Sequence, residues 1–419
     1  MSLQGTRDFF PNQLLLENWF KDKCESSAKK FGYIEYSSSI LEKAELYKRD
    51  GSDLSSEMYI FTKDGIEMAI RPEMTPTLTR MLMKCHKTIT LPARWFSFSQ
   101  CYRHEATVRG RKREFYQWNV DILGGRHSEI ELFSMLVQFF ISVGLTSDHV
   151  VIKVSDRRII KSMLEQYEIT GDNFYTACNI IDKFNKVSKD EMIQMFKDRL
   201  DLKIESDIGD KIYDFIQITS LDELENSMVV DKSITKDLFN IFAMAKSLGF
   251  SEWLVFDLSI IRGLGYYTGV VFEGFFKNSE LKRAICGGGR YTFDSLSLVG
   301  FGMGDVVMMD VLQEQGLLPC LKYQLDFIVI PFSAELFTAA TLVANRIRSE
   351  TRFNAEIYMG SNKLKVALDY SNRVGANVSI IIATEEWKSE SVVVKPMTGE
   401  VRRQEIKPVD LFIKELSLL

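Results

Sequence analysis

Arg94-Trp95-Phe96-Ser97-Phe98-Ser99-Gln100-Cys101-Tyr102, a basic loop, then Phe115-Tyr116-Gln117-Trp118-Asn119-Val120-Asp121-Ile122 is the stretch on which the fold of this chain turns. The first segment is rich in aromatics and free of glycine and proline, the composition of a strand. In the second, alternate side chains share a face. Tyr116, Trp118, Val120 and Ile122 suit a core; Phe115, Gln117, Asn119 and Asp121 form a mostly polar row ending in a carboxylate. On an isolated antiparallel strand such a row ordinarily faces water. The connecting loop changes that reading, because it holds Arg103, His104, Glu105, Arg109, Arg111, Lys112 and Arg113. Planar guanidinium forks match phosphate oxygens, and the one acid among them could hold a metal or an adenine amino group.

Tyr102-Arg103-His104-Glu105, followed by Arg109-Gly110-Arg111-x-Arg113-Glu114-Phe115-x-Gln117, resembles motif 2 of the class II aminoacyl-tRNA synthetases, in the wording of the histidyl-tRNA synthetases. The resemblance implies that Arg103 binds the α-phosphate of ATP and that Glu105 contacts the adenine. Arg111 would sit on the terminal phosphates and Phe115 would stack on the base. Arg109, Lys112 and Arg113 would approach the acceptor end of a tRNA.

Two further segments converge on the same family. Ala69-Ile70-Arg71-Pro72-Glu73-Met74-Thr75-Pro76 reads as a strand leading to a helix start, with Thr75 as N-cap and Pro76 at the first helical position. A cap alone accounts for Thr75. The segment also resembles the family's R-P-E-x-T, which implies that Glu73 and Thr75 hold the substrate α-amino group while Gln117 bridges to the amino and carboxylate ends. Ile261-Arg262-Gly263-Leu264-Gly265-Tyr266-Tyr267 fails as a dinucleotide fingerprint, since the glycine spacing is wrong and no helix follows. It resembles the R-G-L-x-Y-Y signature of histidyl enzymes, with Arg262 neutralising carboxylate and α-phosphate in the transition state and Tyr266 and Tyr267 in the histidine pocket. Tyr291, in Gly287-Gly288-Gly289-Arg290-Tyr291, resembles another pocket-lining residue; by itself that glycine run reads as a turn or tight sheet packing.

A neutral imidazole offers one donor and one acceptor. Asp121 is expected to accept its N–H while the Tyr267 hydroxyl donates to the other nitrogen. A site of paired polar groups rejects analogues lacking them by roughly 10⁴–10⁵, in keeping with a sequence that shows no recognisable editing domain. The implied reaction is in-line attack of the histidine carboxylate on the ATP α-phosphate, then transfer of the histidyl group to the 3′ end of tRNA(His). Mg²⁺ would sit on the phosphates, its protein ligands unassigned, and no side chain acts as a covalent nucleophile.

Four positions depart from the family wording. Val307 stands where motif 3 ends in an adenine-covering arginine, Gly265 and Thr292 replace aspartates, and Ser39 sits where the dimer-forming motif 1 usually has proline. A second reading is therefore a histidine-sensing regulatory protein built on the same scaffold. A third, a sister class II synthetase for glycine, threonine or proline, is disfavoured by Arg262 to Tyr267.

The rest of the chain supplies the setting. With 419 residues, 46% apolar and 26% charged, it has the length of two or three domains and the composition of a soluble globular protein. Its net charge of -5 confines any RNA surface to a local patch. Six scattered cysteines without C-x-x-C pairs suggest reduced thiols and a cytoplasmic home, organellar sharing left open. No apolar run suits a membrane span. The predicted architecture is an α+β catalytic domain over 1–322, its antiparallel sheet flanked by helices, with a helical insertion at about 160–244. A C-terminal α/β domain over 325–419 with a largely parallel sheet follows. It resembles the anticodon-binding domain of the histidyl, prolyl, threonyl and glycyl enzymes, with Lys363, Lys365, Asp369 to Arg373, Glu386 and Trp387 as charged and aromatic groups suited to loop bases. The insertion matches in position one that clamps the acceptor stem, and a homodimer is implied.

Overall fold

The computed structural model describes residues 2–48, 56–200, 207–227, 232–261, 266–279, 281, 283–398 and 403–419. The chain divides into two compact units, Met1–Pro319 and Cys320–Leu419.

Among the described residues of the first unit, eight strands form one mixed sheet. Their spatial order is Ile34–Glu35, Ala93–Tyr102, Glu114–Leu123, Leu296–Gly304, Ala284–Phe293, Tyr267–Phe276, Val150–Asp156 and Leu254–Phe256. The first and last pairings are parallel and the others antiparallel. Both ten-residue strands of the opening hairpin form, in a register that pairs Trp95 with Asp121, Ser97 with Asn119 and Ser99 with Gln117. The core-facing alternation is observed: Phe98 packs edge-on against Phe20 of helix Pro11–Lys30, and Trp118 against Phe139 of helix Ser128–Ser142 and Phe301. Removing these large apolar side chains from water drives the assembly of sheet and helices.

The polar row does not face water. Asn119 and Asp121 are each only 3% exposed, and the Tyr291 hydroxyl lies on the Asp121 carboxylate, so this face is covered as well. The helical segment is present as Arg157–Glu165, Gly171–Ile181, Lys189–Arg199, Ile208–Ile216, Leu221–Asn226 and Lys232–Ser247. Its apolar faces join the same hydrophobic cluster as the sheet, through Ile160, Leu164, Leu238 and Ala245.

A small sheet of Leu41–Lys43, Ile66–Ile70 and Tyr59–Lys63 stands apart. Its register places Leu41, Phe61, Ile66 and Met68 on one face. Ser39, in the position of the expected proline, takes the backbone N–H of Leu41 on its hydroxyl at 3.1 Å, so a side-chain turn holds the bend before this sheet.

The second unit contains a five-stranded sheet in the order Ala355–Ile357, Leu325–Pro331, Ala376–Ile382, Ser391–Pro396 and Glu405–Pro408. The first three strands are parallel, as their β–α alternation predicts, and the last two are antiparallel. "Largely parallel" is thus corrected to mixed: short connections after the third strand leave no room for crossover helices. In the Asp369 to Arg373 run, Ser371 is buried and donates to the Ala367 carbonyl, and the Tyr370 hydroxyl donates to Glu356 at 2.6 Å. Lys363, Lys365 and Arg373 are exposed.

Candidate active site

The site lies on the second face of the large sheet and is made possible by missing side chains. The strand beside Glu114–Leu123 carries Gly300, Gly302 and Gly304, in register with Asp121, Asn119 and Gln117. A Cβ built at Gly300 would collide with the Asp121 carboxylate, and one at Gly302 with the Gln117 amide. The next strand continues the gap: a Cβ at Gly289 would lie 2.6 Å from the Val270 carbonyl oxygen and 2.9 Å from the Tyr267 ring. The glycine run is therefore tight sheet packing. Together these glycines leave a shallow floor across which polar side chains lie flat.

Asp121 is at the centre of that floor. Its Oδ1 accepts a hydrogen bond of 2.7 Å from the Tyr291 hydroxyl. Burial pushes its carboxyl up to about 7, partly offset by that hydrogen bond. Tyr266 links the remaining parts: its ring is 4.6 Å from that of Tyr267 and 5.8 Å from that of Tyr291, and its hydroxyl stands 3.5 Å from Glu73 Oε2. The partner of Asp121 is thus Tyr291, while Tyr267 is buried beside them. One oxygen on this floor, Asn119 Oδ1, is buried without a hydrogen-bond partner among the described residues. Buried polar atoms left this way cost stability and mark a place where a ligand or water completes the set.

Glu73 is joined to the floor through the Tyr266 hydroxyl, and Thr75 follows it two residues on. Tyr102 donates its backbone N–H to the Arg71 carbonyl at 3.0 Å, and Arg103 Nε donates to the Pro72 carbonyl at 3.0 Å. The hairpin and the Arg71-Pro72-Glu73 segment are thereby fastened together. Arg71, only 6% exposed, is a structural clamp, donating to the carbonyls of Gln100 and Ser38. Helix Thr75–Cys85 starts one residue earlier than the sequence suggests, with Met74 in the N-cap position. Thr75 is not the cap; it occupies the first helical position and Pro76 the second, where the N–H that proline lacks would have no partner within the helix. Freed from capping, the Thr75 hydroxyl has no structural duty that the helix requires of it.

The basic loop is ordered by internal pairs. Arg103 lies with its guanidinium carbon 5.2 Å from the centre of the Phe115 ring. Arg111 pairs with Glu105 at 2.7 Å. Burial raises the Glu105 carboxyl, and Arg111 and Arg103 oppose that shift. Arg109 pairs with Glu314 at 2.6 Å, the Gly110 N–H donates to Asp310, and Arg113 donates to the Glu105 carbonyl. Lys112 is half-buried. The tip of the loop is thus moored to helix Asp305–Glu314. Arg262 and Gly265 lie outside the described residues. Among the described residues no three His, Cys, Asp or Glu side chains group as a metal cage. A magnesium ion that keeps its waters and rides on phosphates needs none.

Two features escaped the sequence reading. The amino-terminal arm crosses beneath the loop: the Gly5 carbonyl accepts from the Arg113 and Glu114 N–H groups, and Arg7 pairs with buried Asp305 at 2.7 Å. Asp305 also accepts from the Tyr116 N–H, so the arm, the hairpin and helix Asp305–Glu314 share one carboxylate. Nothing local marks Arg7 for this. The floor, by contrast, had a signal in the alternate glycines of Gly300-Phe301-Gly302-Met303-Gly304, which empty one face of a strand.

Residues 5–298 match a family model described as histidyl-tRNA synthetase. The chain is 37% identical over 408 residues to the chloroplastic/mitochondrial histidine–tRNA ligase of Arabidopsis thaliana, a match covering 94% of this chain and 83% of that protein. The structure superposes on a histidyl-tRNA synthetase from Nostoc sp. PCC 7120 with a TM-score of 0.77 at 19% identity, covering 100% of this chain and 99% of that one. It also superposes on an ATP phosphoribosyltransferase regulatory subunit/histidyl-tRNA synthetase from Bacillus halodurans, with a TM-score of 0.73 at 18% identity over 92% and 99%. These likenesses to solved structures establish the fold. They do not separate synthetase from regulatory subunit, so that decision rests on the residues and the close relatives.

Proposed function

The chain belongs to the histidyl-tRNA synthetase family, and from that premise we propose how its own residues activate histidine with ATP and charge tRNA(His). The observation that carries the reading is the buried Asp121–Tyr291 pair on a glycine floor, next to the arginine-lined hairpin.

Histidine lies across the floor with its imidazole N–H on Asp121. Tyr291, Tyr266 and Tyr267 form the aromatic wall, and a tyrosine hydroxyl serves the second nitrogen. Glu73, Thr75 and Gln117 take the α-amino end. ATP occupies the hairpin: Arg103 is on the α-phosphate, Arg111 on the terminal phosphates, Glu105 at the adenine amino group and Phe115 under the ring. The Arg111–Glu105 pair is then the resting form of two binding groups, opened when phosphates compete for the guanidinium.

The role proposed for Arg262 is to neutralise the charge that builds between carboxylate and α-phosphate. Alignment and charge neutralisation supply most of the acceleration; loss of one such arginine costs on the order of 3–4 kcal/mol. Carboxylate attack forms the acyl phosphate bond as pyrophosphate leaves. A ribose oxygen of the tRNA terminus then takes the acyl group and AMP departs. Mg²⁺ would supply charge neutralisation on the phosphates.

Lys112 is the loop cation best placed for the tRNA end, since Arg109 and Arg113 are moored. The second unit, with Lys363, Lys365 and Arg373 exposed, is read as the anticodon-binding domain, and residues 160–244 as the acceptor-stem clamp. A homodimer is supported by the exposed Leu41, Phe61 and Ile66 on one side of the small sheet. No described helix is long and apolar enough to cross a membrane, and the described cysteines are free thiols, which suits the reducing compartments where tRNA is charged.

The test is ATP–pyrophosphate exchange with each amino acid in turn. Exchange with histidine alone is expected. Histidine binding without exchange would select the regulatory reading, and exchange with glycine, threonine or proline the sister enzyme.

A further inference from the structure

Val307 leaves the upper side of the adenine without the arginine found in the family's third motif. A small aliphatic side chain offers neither charge nor a planar group there, and the volume above the base has to be filled by something else.

The space around Val307 contains a cation that no motif marks. A Cβ built at Gly110, the loop glycine at φ +75°, would have Leu281 Cδ1 at 3.2 Å, Val307 Cγ2 at 3.4 Å and Arg283 Cδ at 3.5 Å. The Arg283 stem, the Val307 side chain and the apex of the basic loop therefore meet at one point. Arg283 directly precedes strand Ala284–Phe293, whose neighbour Leu296–Gly304 runs straight into the helix carrying Val307. Two adjacent strand ends thus deliver Arg283 and Val307 to the same spot.

The charge environment is the second observation. Arg103, Arg109, Arg111 and Arg113 each have a hydrogen-bond or ion-pair partner. The Arg283 side chain, half-buried, has none among the described residues, although it is close enough to Arg111 and Glu105 to be influenced by both. Burial and the neighbouring Arg111 both lower its pKa, against a smaller opposing effect of Glu105. A partly desolvated guanidinium held near a second one, without a partner of its own, is a cost to the free protein. A ligand that brings a π-face between these groups offsets it.

We propose that Arg283 covers the adenine of ATP from the side opposite Phe115, in place of the motif 3 arginine that Val307 has replaced. This rests on the reading that ATP occupies the hairpin. Guanidinium is planar, weakly hydrated and stacks on aromatic rings, which an ammonium does less well. The base then lies between Phe115 and Arg283, with Glu105 at its edge. The same recognition is reached from the adjoining strand.

The experiment combines calorimetric ATP binding to the full chain with exchange kinetics. In Arg283→Ala, the Kd and KM for ATP are expected to rise on the order of tenfold. The KM for histidine and the Tm should hold, and inhibition by pyrophosphate should keep its strength because the phosphates are not touched. Arg283→Gln, which preserves most of the volume, should show the same loss, and Val307→Arg placed on Arg283→Ala should restore ATP affinity. Unchanged ATP binding in Arg283→Ala overturns the proposal, as does an equal rise in the KM for histidine or a matching loss of pyrophosphate inhibition. A parent protein that binds no ATP overturns instead the placement of ATP on the hairpin.

Discussion

Burying a carboxyl beside a single phenol is costly, and Asp121 shows the cost in a carboxyl pushed from 3.8 to about 7. Between those values the folded chain keeps a proton that the unfolded chain has released. Stability therefore falls as pH rises from about 4 to about 7 and stays lower above that range. Asp121→Asn keeps the shape and an acceptor for Tyr291 without the charge. Its Tm is expected to exceed the parent's by more at pH 8 than at pH 5, while its KM for histidine rises. A thermal melt showing the same difference at both pH values would remove the buried charge as the cause. Stability given up at a binding residue is a common exchange at functional sites. The sequence showed Asp121 as an odd polar residue on an otherwise good strand. It did not show Tyr291 as its partner, because 170 residues separate the two and only the strand order brings them together.

Strand periodicity was legible at the scale of elements, and so were both arms of the hairpin, since the large apolar residues of one face leave few alternatives. The opposite face was assigned to the site only through the basic loop beside it, because one strand alone does not reveal that its neighbours will be glycines. Gly302 tests the floor most cleanly. In Gly302→Ala the new methyl would meet the Gln117 amide, the far end of a flexible side chain that can swing aside. The fold is expected to survive with little change in Tm, and kcat/KM for histidine to fall by about ten- to a hundredfold as Gln117 leaves its place. Parent-like kinetics would mean that Gln117 is not held by that floor. The start of helix Thr75–Cys85 was misjudged by one residue, the usual uncertainty where two residues compete for a cap.

For the whole molecule, β–α alternation marked the carboxy-terminal unit in the sequence, and the chain divides at Pro319–Cys320. The antiparallel strand pair that ends its sheet was not read from the sequence, since nothing in the alternation announces where it stops. Three apolar side chains of the large unit are exposed on one side of the small sheet, Leu41 at 44%, Phe61 at 41% and Ile66 at 52%, with Lys43 and Lys63 beside them. A patch of this kind suits a partner, and the proposed homodimer would bring a second copy to it with twofold symmetry. Light scattering is expected to give the mass of two chains, and Ile66→Asp to shift it toward one without a loss of helix signal; a monomeric parent would end that assignment. The most direct measurement of the central claim carries the exchange reaction through to RNA. Purified protein, ATP, Mg²⁺, radiolabelled histidine and tRNA(His) should yield label on the tRNA 3′ end, and Arg103→Ala should abolish it. Charging with a different amino acid, or histidine binding with no label on tRNA, would contradict the account.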